Sequence, residues 1–243
     1  MKTTVMQKGD NDAMTEPRVR RWTGAFGIAA FVVFLAALPL YFLGPPAVLP
    51  QDAAFAEYVT GTSAFVITRA AIADPILISC FFVFLAGLRH LIREARPDYE
   101  WISTLVLGMG LLYIALQLVG DALQTAGALD ATAGANQSAV RALFEASTPL
   151  YSSIGLIPES FLFAFTGYAV IASGVLPRWA GWLTYAGAVI TFADAPTIFL
   201  GFAGLALGVP ALLSVVAEFW LPAWILIASV LILRRRGRMR VGS

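Results

Sequence analysis

Six apolar stretches follow one another along the chain, each long enough to cross a bilayer as a helix of roughly 20 residues. They cover residues 23–43, 64–93, 101–125, 150–173, 179–200 and 209–233. Polar or proline-rich segments separate them. Residues 44–63, opened by Pro45 and Pro46, read as a loop, and 96–100 as a short charged turn. Residues 127–147 read as a second long loop of small and polar residues, with a short surface helix over 138–146. Tight turns are expected at 174–178 and across the glycine-rich 201–208. The pattern predicts an all-α integral membrane bundle of six transmembrane helices.

Composition agrees with that class. The 243 residues are 59% hydrophobic and only 13% charged, whereas soluble domains carry about 25% charged residues. Formal net charge is +1, so bulk charge gives no reason to expect a nucleic-acid partner. The bilayer is the expected partner, and oligomeric state stays open. Residues 1–21 are polar and read as a disordered tail, 22–236 as the transmembrane domain, and 237–243 as a basic tail. A basic segment before an apolar one also suits a signal peptide. The apolar run is too long for that and no small-residue cleavage site follows, so the first span is expected to be retained.

Basic residues orient the bundle. Lys2, Lys8, Arg18, Arg20 and Arg21 precede the first span; Arg89, Arg93, Arg96 and Arg178 fall in turns on the same side; five arginines end the chain. Those are 14 of the 16 basic residues, leaving Arg69 inside a span and Arg141 opposite. The positive-inside rule then places both termini in the cytoplasm of a multi-pass cell-membrane protein, with the two long loops outside. Trp22, Trp101, Trp179 and Trp182 fall at the expected inner boundary, as an interfacial belt would.

Against this apolar background the ionisable residues inside the spans stand out. Asp74, Asp121, Glu159, Asp194 and Glu218 come from five different spans, each roughly 9–15 Å below the outer end at the helical rise per residue. Arg69 lies above them. A charge at that depth costs about 2.5–3.5 kcal/mol on insertion scales, so such groups face partners or a wet cavity. Helical spacing gives them common faces. Tyr113, Gln117, Asp121 and Gln124 form one stripe; Ser152, Glu159, Thr166 and Ser173 recur every seven residues; Ser214, Glu218 and Ser229 share a third face. Four of the acids lie beside prolines: Pro75, Pro158, Pro196 and Pro222. Proline frees a carbonyl one turn earlier, a device by which transporters build sites at membrane depth. Arg69 and Asp74, five apart, lie about 140° apart on a regular helix and would not meet without a kink. Arg69 is expected to be held by Asp74 or Glu218.

The candidate binding residues are therefore Arg69, Asp74, Gln117, Asp121, Glu159, Asp194 and Glu218. Five acids against one arginine leave a formal −4 if all ionise, so protons or a cation must enter the balance. No lysine lies in any span, which removes Schiff-base chemistry. One histidine, His90, and one cysteine, Cys80, remove histidine-rich zinc sites and bis-histidine haem within this chain. No phosphate-cradling glycine motif occurs, and no cofactor is expected. Which metal, if any, the acids would take stays open, although carboxylates alone favour hard cations.

Three features resemble the bacterial membrane proteins of domain of unknown function family 4386. They are Arg69 with Asp74; the turn Ser173, Gly174, Pro177, Arg178 followed by Gly181 and Leu183; and Glu218 with the later Trp224. The likeness covers most of the chain after the N-terminal tail. It implies a multi-spanning helical bundle and no established activity, and it puts most weight on Arg69, Asp74 and Glu218.

The leading expectation is an outward-facing site that binds or transports protons, a cation or a cationic small molecule. The alternative is an accessory membrane protein whose buried polar groups only specify helix packing. A third reading is an intramembrane acid/base enzyme, for which no catalytic residue is assigned.

Overall fold

The computed structural model describes residues 3–43, 55–197 and 209–234. Among them there is no strand. The helices are α1 (Thr3–Leu43), α2 (Phe55–Thr68), a π-helical segment (Arg69–Ala73), α3 (Asp74–Ala95), α4 (Glu100–Thr132), α5 (Gln137–Tyr151), α6 (Ser153–Ser173), α7 (Arg178–Asp194) and α8 (Val209–Arg234). Five apolar helical stretches are long enough to cross a membrane: Pro17–Leu43, Tyr58–Ala95, Pro97–Thr132, Gln137–Ser173 and Leu212–Arg234. This is the anatomy of a multi-pass membrane protein. α7, the remaining apolar stretch of the sequence less its last residues, has 17 helical residues and packs between α6 and α8.

The spanning helices close into a ring. α1 packs on α3, α3 on α4, α4 on α6, α6 on α7, α7 on α8, and α8 back on α1. Lipid is as apolar as leucine, so van der Waals fit holds such a ring together, and close approach depends on small residues. A β-carbon on Gly27 of α1 would lie 1.9 Å from Ser229 Oγ of α8, and one on Gly87 of α3 would lie 1.9 Å from Thr23 Oγ1 of α1. Glycine at these two positions lets α1 seat against both neighbours.

The lower interior of the ring is filled with aromatic and aliphatic side chains. Trp224 meets Phe84 and Phe163 edge-on at 6.0 and 6.2 Å, and Phe81 meets Tyr113 at 6.4 Å. Leu85, Leu88, Leu91, Ile92, Leu162 and Ile225 complete this core. Trp22, Trp101, Trp179 and Trp182 are exposed on the surface of the bundle.

The loops differ most from expectation. The first was expected to run through residue 63, but helix begins at Phe55; residues 44–54 lie outside the described part. The second was expected to be mostly irregular. Instead α4 continues to Thr132, a short turn follows, and α5 runs from Gln137 to Tyr151. The Asn136 side chain caps α5 by accepting from the Ser138 amide at 2.9 Å. These segments have their own core. Phe55, Val59, Val66, Ala128, Ala131, Val140 and Phe144 are buried together, with Phe55 and Phe144 edge-on at 5.8 Å. The physical reason is length. α4 has 33 residues where about 20 suffice to cross the hydrocarbon, so it is longer than a single crossing needs. Emerging helices expose apolar faces, and burying each large side chain stabilises by roughly 1.5–3 kcal/mol. The result is a helical headpiece where loops were expected.

At the other end of the chain order, α1 starts at Thr3, inside the stretch read as a disordered tail. The turn at 201–208 and the tail at 237–243 lie outside the described residues.

Candidate functional site

Arg69 and Asp74 meet because the helix between them is not regular. The Asp74 amide donates to the Arg69 carbonyl, an i→i+5 bond that spreads five residues over one turn. Pro75 has no amide hydrogen to give the α-helical ladder, which favours such an adjustment. Residues five apart then lie nearly one above the other. The Arg69 Nε is 3.3 Å from Asp74 Oδ2, and its Nη2 is 3.6 Å from Asp121 Oδ1 on α4. The expected partner was Asp74 or Glu218. Asp74 is correct, Asp121 is the second, and Glu218 makes no ion pair with it.

The rest of this cluster was only partly visible beforehand. Arg69 donates to the Gln124 amide oxygen and, at 3.4 Å, to the Tyr151 hydroxyl. Tyr151 in turn donates to Asp121 Oδ1 at 2.6 Å, and Tyr41 donates to Asp74 Oδ1. Gln124 donates to Ser147 Oγ at 3.1 Å. The guanidinium carbon lies 5.1 Å from the Tyr41 ring centre and 5.6 Å from that of Tyr151, so it gains cation–π attraction from both. Asp74 and Asp121 are buried and are electrostatic neighbours. One arginine is thus held by groups from α1, α3, α4 and α5. Gln124 was legible in the α4 stripe. Tyr41 and Tyr151 were not, because a tyrosine near a span end reads equally well as an interfacial residue.

Asp194 is also bonded. Ser214 of α8 donates to its Oδ1 at 2.6 Å, and the Thr197 hydroxyl lies 2.7 Å from the same oxygen. It joins α7 to α8.

Glu159 and Glu218 differ. Glu159, on α6, is only 3% exposed, yet it has no hydrogen bond or ion pair among the described residues. Its electrostatic neighbours are Glu218 and Asp194. Glu218, on α8, is surrounded by protein and lies within electrostatic reach of Arg69, Asp74 and Asp194, yet its side chain is exposed and unbonded among the described residues. Tyr113 of α4 lies within reach of both glutamates and of Asp74. One turn above it, Gln117 approaches Gly155 of α6, where a β-carbon would stand 3.4 Å from its Nε2. Neither Tyr113 nor Gln117 makes a side-chain hydrogen bond among the described residues. α6 and α8 do not pack backbone to backbone; Phe163 and Trp224 bridge the gap one to two turns from the glutamates.

The predicted residues therefore fall into a bonded set, Arg69, Asp74, Asp121 and Asp194, and an unbonded one, Gln117, Glu159 and Glu218. Tyr113 joins the second set. Among the described residues no three His, Cys, Asp or Glu side chains are grouped to hold a metal ion.

No curated protein and no solved structure matches the chain. The family described as Domain of unknown function (DUF4386) matches residues 22–229, which takes in all or most of each span and both sets of polar residues. The arginine–aspartate pair, the Pro177–Arg178 turn and the Glu218 helix all lie within that match, and the chain belongs to this family.

Proposed function

We propose that the acidic layer handles ions: it exchanges protons or binds a cation, including a cationic small molecule, from the outer side of the cell membrane. One observation carries this reading. Glu159 is buried with no hydrogen bond or ion pair among the described residues, and its first electrostatic neighbour is a second unpaired acid, Glu218. A buried polar group left unbonded costs about 1–3 kcal/mol, more when charged. Acids serving only helix packing would each hold a partner, as Asp74, Asp121 and Asp194 do through at least one oxygen. The Arg69 cluster, whose members bond one another, favours that structural role for its own half of the layer.

The orientation in this proposal rests on the basic residues, which put both termini in the cytoplasm and the headpiece outside. The aromatic core around Trp224 then lies between the acids and the cytoplasm and seals the layer from that side. With Cys80 changed to Ser, an Ala133→Cys variant should react with an impermeant maleimide on intact cells. Reaction only after the membrane is opened would reverse the orientation.

For ion handling, the thermal unfolding of purified protein should respond to pH over about 4–8, or to Na⁺, Ca²⁺ or Mg²⁺. The response should shrink in a Glu159→Gln/Glu218→Gln variant. A flat response in the parent protein would leave the packing role as the whole account of the layer.

A further inference from the structure

The charges around Arg69 do not balance. Arg69 is always protonated, and two carboxyl groups stand against it: Asp74, 3.3 Å from its Nε, and Asp121, 3.6 Å from its Nη2. Asp74 is 5% and Asp121 4% exposed, so water screens little of their charge. With both acids ionised, one guanidinium faces two carboxylates, and one negative charge is left inside the bundle. Such a charge is strongly disfavoured. Among the described residues neither acid has a second cation. The other groups around them add none. Tyr41 of α1, Gln124 of α4 and Tyr151 of α5 bond within the cluster, and Tyr113 of α4 is an electrostatic neighbour of Asp74. Phenols and amides are neutral near neutral pH. Glu218 of α8, a further electrostatic neighbour of Asp74, is another acid.

The two acids are not equivalent, and their difference shows where the balance is restored. Asp74 has both oxygens answered: Tyr41 donates to Oδ1, and Arg69 Nε faces Oδ2. Asp121 has only one. Tyr151 donates to its Oδ1 at 2.6 Å, and Arg69 Nη2 approaches that same oxygen. Its Oδ2 is buried and has no hydrogen-bond partner among the described residues. An ionised carboxylate has two accepting oxygens and no donor of its own. Burying one of them without a donor is costly for an anion. A proton on that oxygen removes the charge, and Asp121 keeps its Tyr151 bond through Oδ1, which is then a carbonyl oxygen. A metal ion in the proton's place would stand beside the guanidinium, and like charges repel.

We propose that Asp121 binds one proton at Oδ2 in the folded protein, so that Arg69, Asp74 and Asp121 are neutral together. Asp74 is then the ionised partner of Arg69, and Asp121 carries the proton. The two acids are linked by the arginine they share. Without the Asp74 charge, Asp121 is the remaining acid in ion-pair distance of Arg69 among the described residues, and it releases its proton to pair with it. The bound proton is a component of the tie between the bundle and the headpiece, because Asp121 joins α4 to Tyr151 of α5. This goes beyond the ion-handling reading and does not rest on it: the proton is held at the paired acids, whether or not Glu159 and Glu218 exchange ions.

Infrared spectroscopy of the full-length protein in detergent reads the proton directly. The carbonyl stretch of a neutral carboxylic acid lies apart from the carboxylate bands and shifts in deuterium oxide. The parent, Asp121→Asn, Asp74→Asn and the double variant are compared at neutral pH. The spectrum of the parent minus that of Asp121→Asn should contain one neutral-acid band. The parent minus Asp74→Asn should contain a band of the same size, because Asp121 ionises when Asp74 no longer can. Either single variant minus the double variant should contain carboxylate bands alone. Glu159 and Glu218 are present in all four proteins and cancel. A neutral-acid band missing from the single differences overturns the proposal, since both acids are then ionised. A neutral-acid band in a single-minus-double difference also overturns it, since the arginine then does not set the proton count. Should one single variant not fold, the other gives the same reading against the parent. Ion handling is read separately through Glu159→Gln/Glu218→Gln, and a flat response there leaves the infrared result standing.

Discussion

Two clusters of acids share one layer of this bundle and are treated in opposite ways. Around Arg69, each carboxylate has a cation and a phenol: Asp74 has Arg69 and Tyr41, and Asp121 has Arg69 and Tyr151. A few residues away, Glu159 and Glu218 have no bonded partner among the described residues. Depth does not explain the difference, since Glu159 is as buried as Asp74. Chain position does. The Arg69 cluster sits where α2, α4 and α5 pack together, so extra helices are at hand to supply tyrosine and glutamine. The glutamates face the gap between α6 and α8, which only side chains bridge. The paired charges tie helices together; the two glutamates form no such tie among the described residues.

That comparison breaks most visibly at Arg69. Replacing it by Ala strands two buried carboxylates, and removing one partner of a buried pair costs about 3–5 kcal/mol. Thermal unfolding in detergent should show the loss, and adding Asp121→Asn or Asp74→Asn should restore part of it. If neither amide restores stability, Arg69 is not held by these acids.

Next in size is Tyr151→Phe. It deletes the donor to Asp121 and the acceptor from Arg69 while keeping the ring. Hydrogen bonds to charged groups contribute about 1.5–3 kcal/mol, and a loss in that range is expected. Tyr41→Phe should behave alike at Asp74. A loss under about 0.5 kcal/mol for both would mean that the ion pairs hold without their phenols.

The smallest effects should come from the other half. Glu159→Gln and Tyr113→Phe remove groups that bond nothing among the described residues, so ligand-free stability should stay within about 0.5 kcal/mol of the parent. A large loss at Glu159 would give it a structural partner and erase the contrast between the clusters. A double-mutant cycle between Arg69→Ala and Glu159→Gln sharpens the point. Without a shared bond, their effects should add within about 0.5 kcal/mol.

Sequence periodicity carried the spans well, because lipid rewards unbroken apolar length and the chain offers little else. It carried the inward faces in part: Thr166, Glu159 and Ser229 are buried, whereas Glu218, on the face predicted with Ser229, is exposed. It failed at the headpiece. Residues such as Thr60, Ser63, Ala128, Ala131 and Ser147 look like loop composition, yet small residues also let helices pack closely, and composition does not separate the two. The i→i+5 turn was hidden for a different reason. A proline marks a disturbed ladder but does not say whether the helix kinks or widens, so the 140° between Arg69 and Asp74 looked prohibitive. The split between bonded and unbonded acids was not legible at all, since it depends on tyrosines contributed from α1 and α5.

The widened turn has a consequence in time as well as in space. The chain is made from its N-terminus, so the helix bearing Arg69 is complete before Asp121, Gln124 and Tyr151 have been joined to it. At that moment the arginine has two of its eventual partners: Tyr41, already made, and Asp74, five residues on in the same helix. By folding those five residues into one turn, the nascent segment carries its own counterion and can enter lipid as a near-neutral rod. The later helices then arrive at a charge that is already half compensated, and complete a cluster that the first two spans have begun.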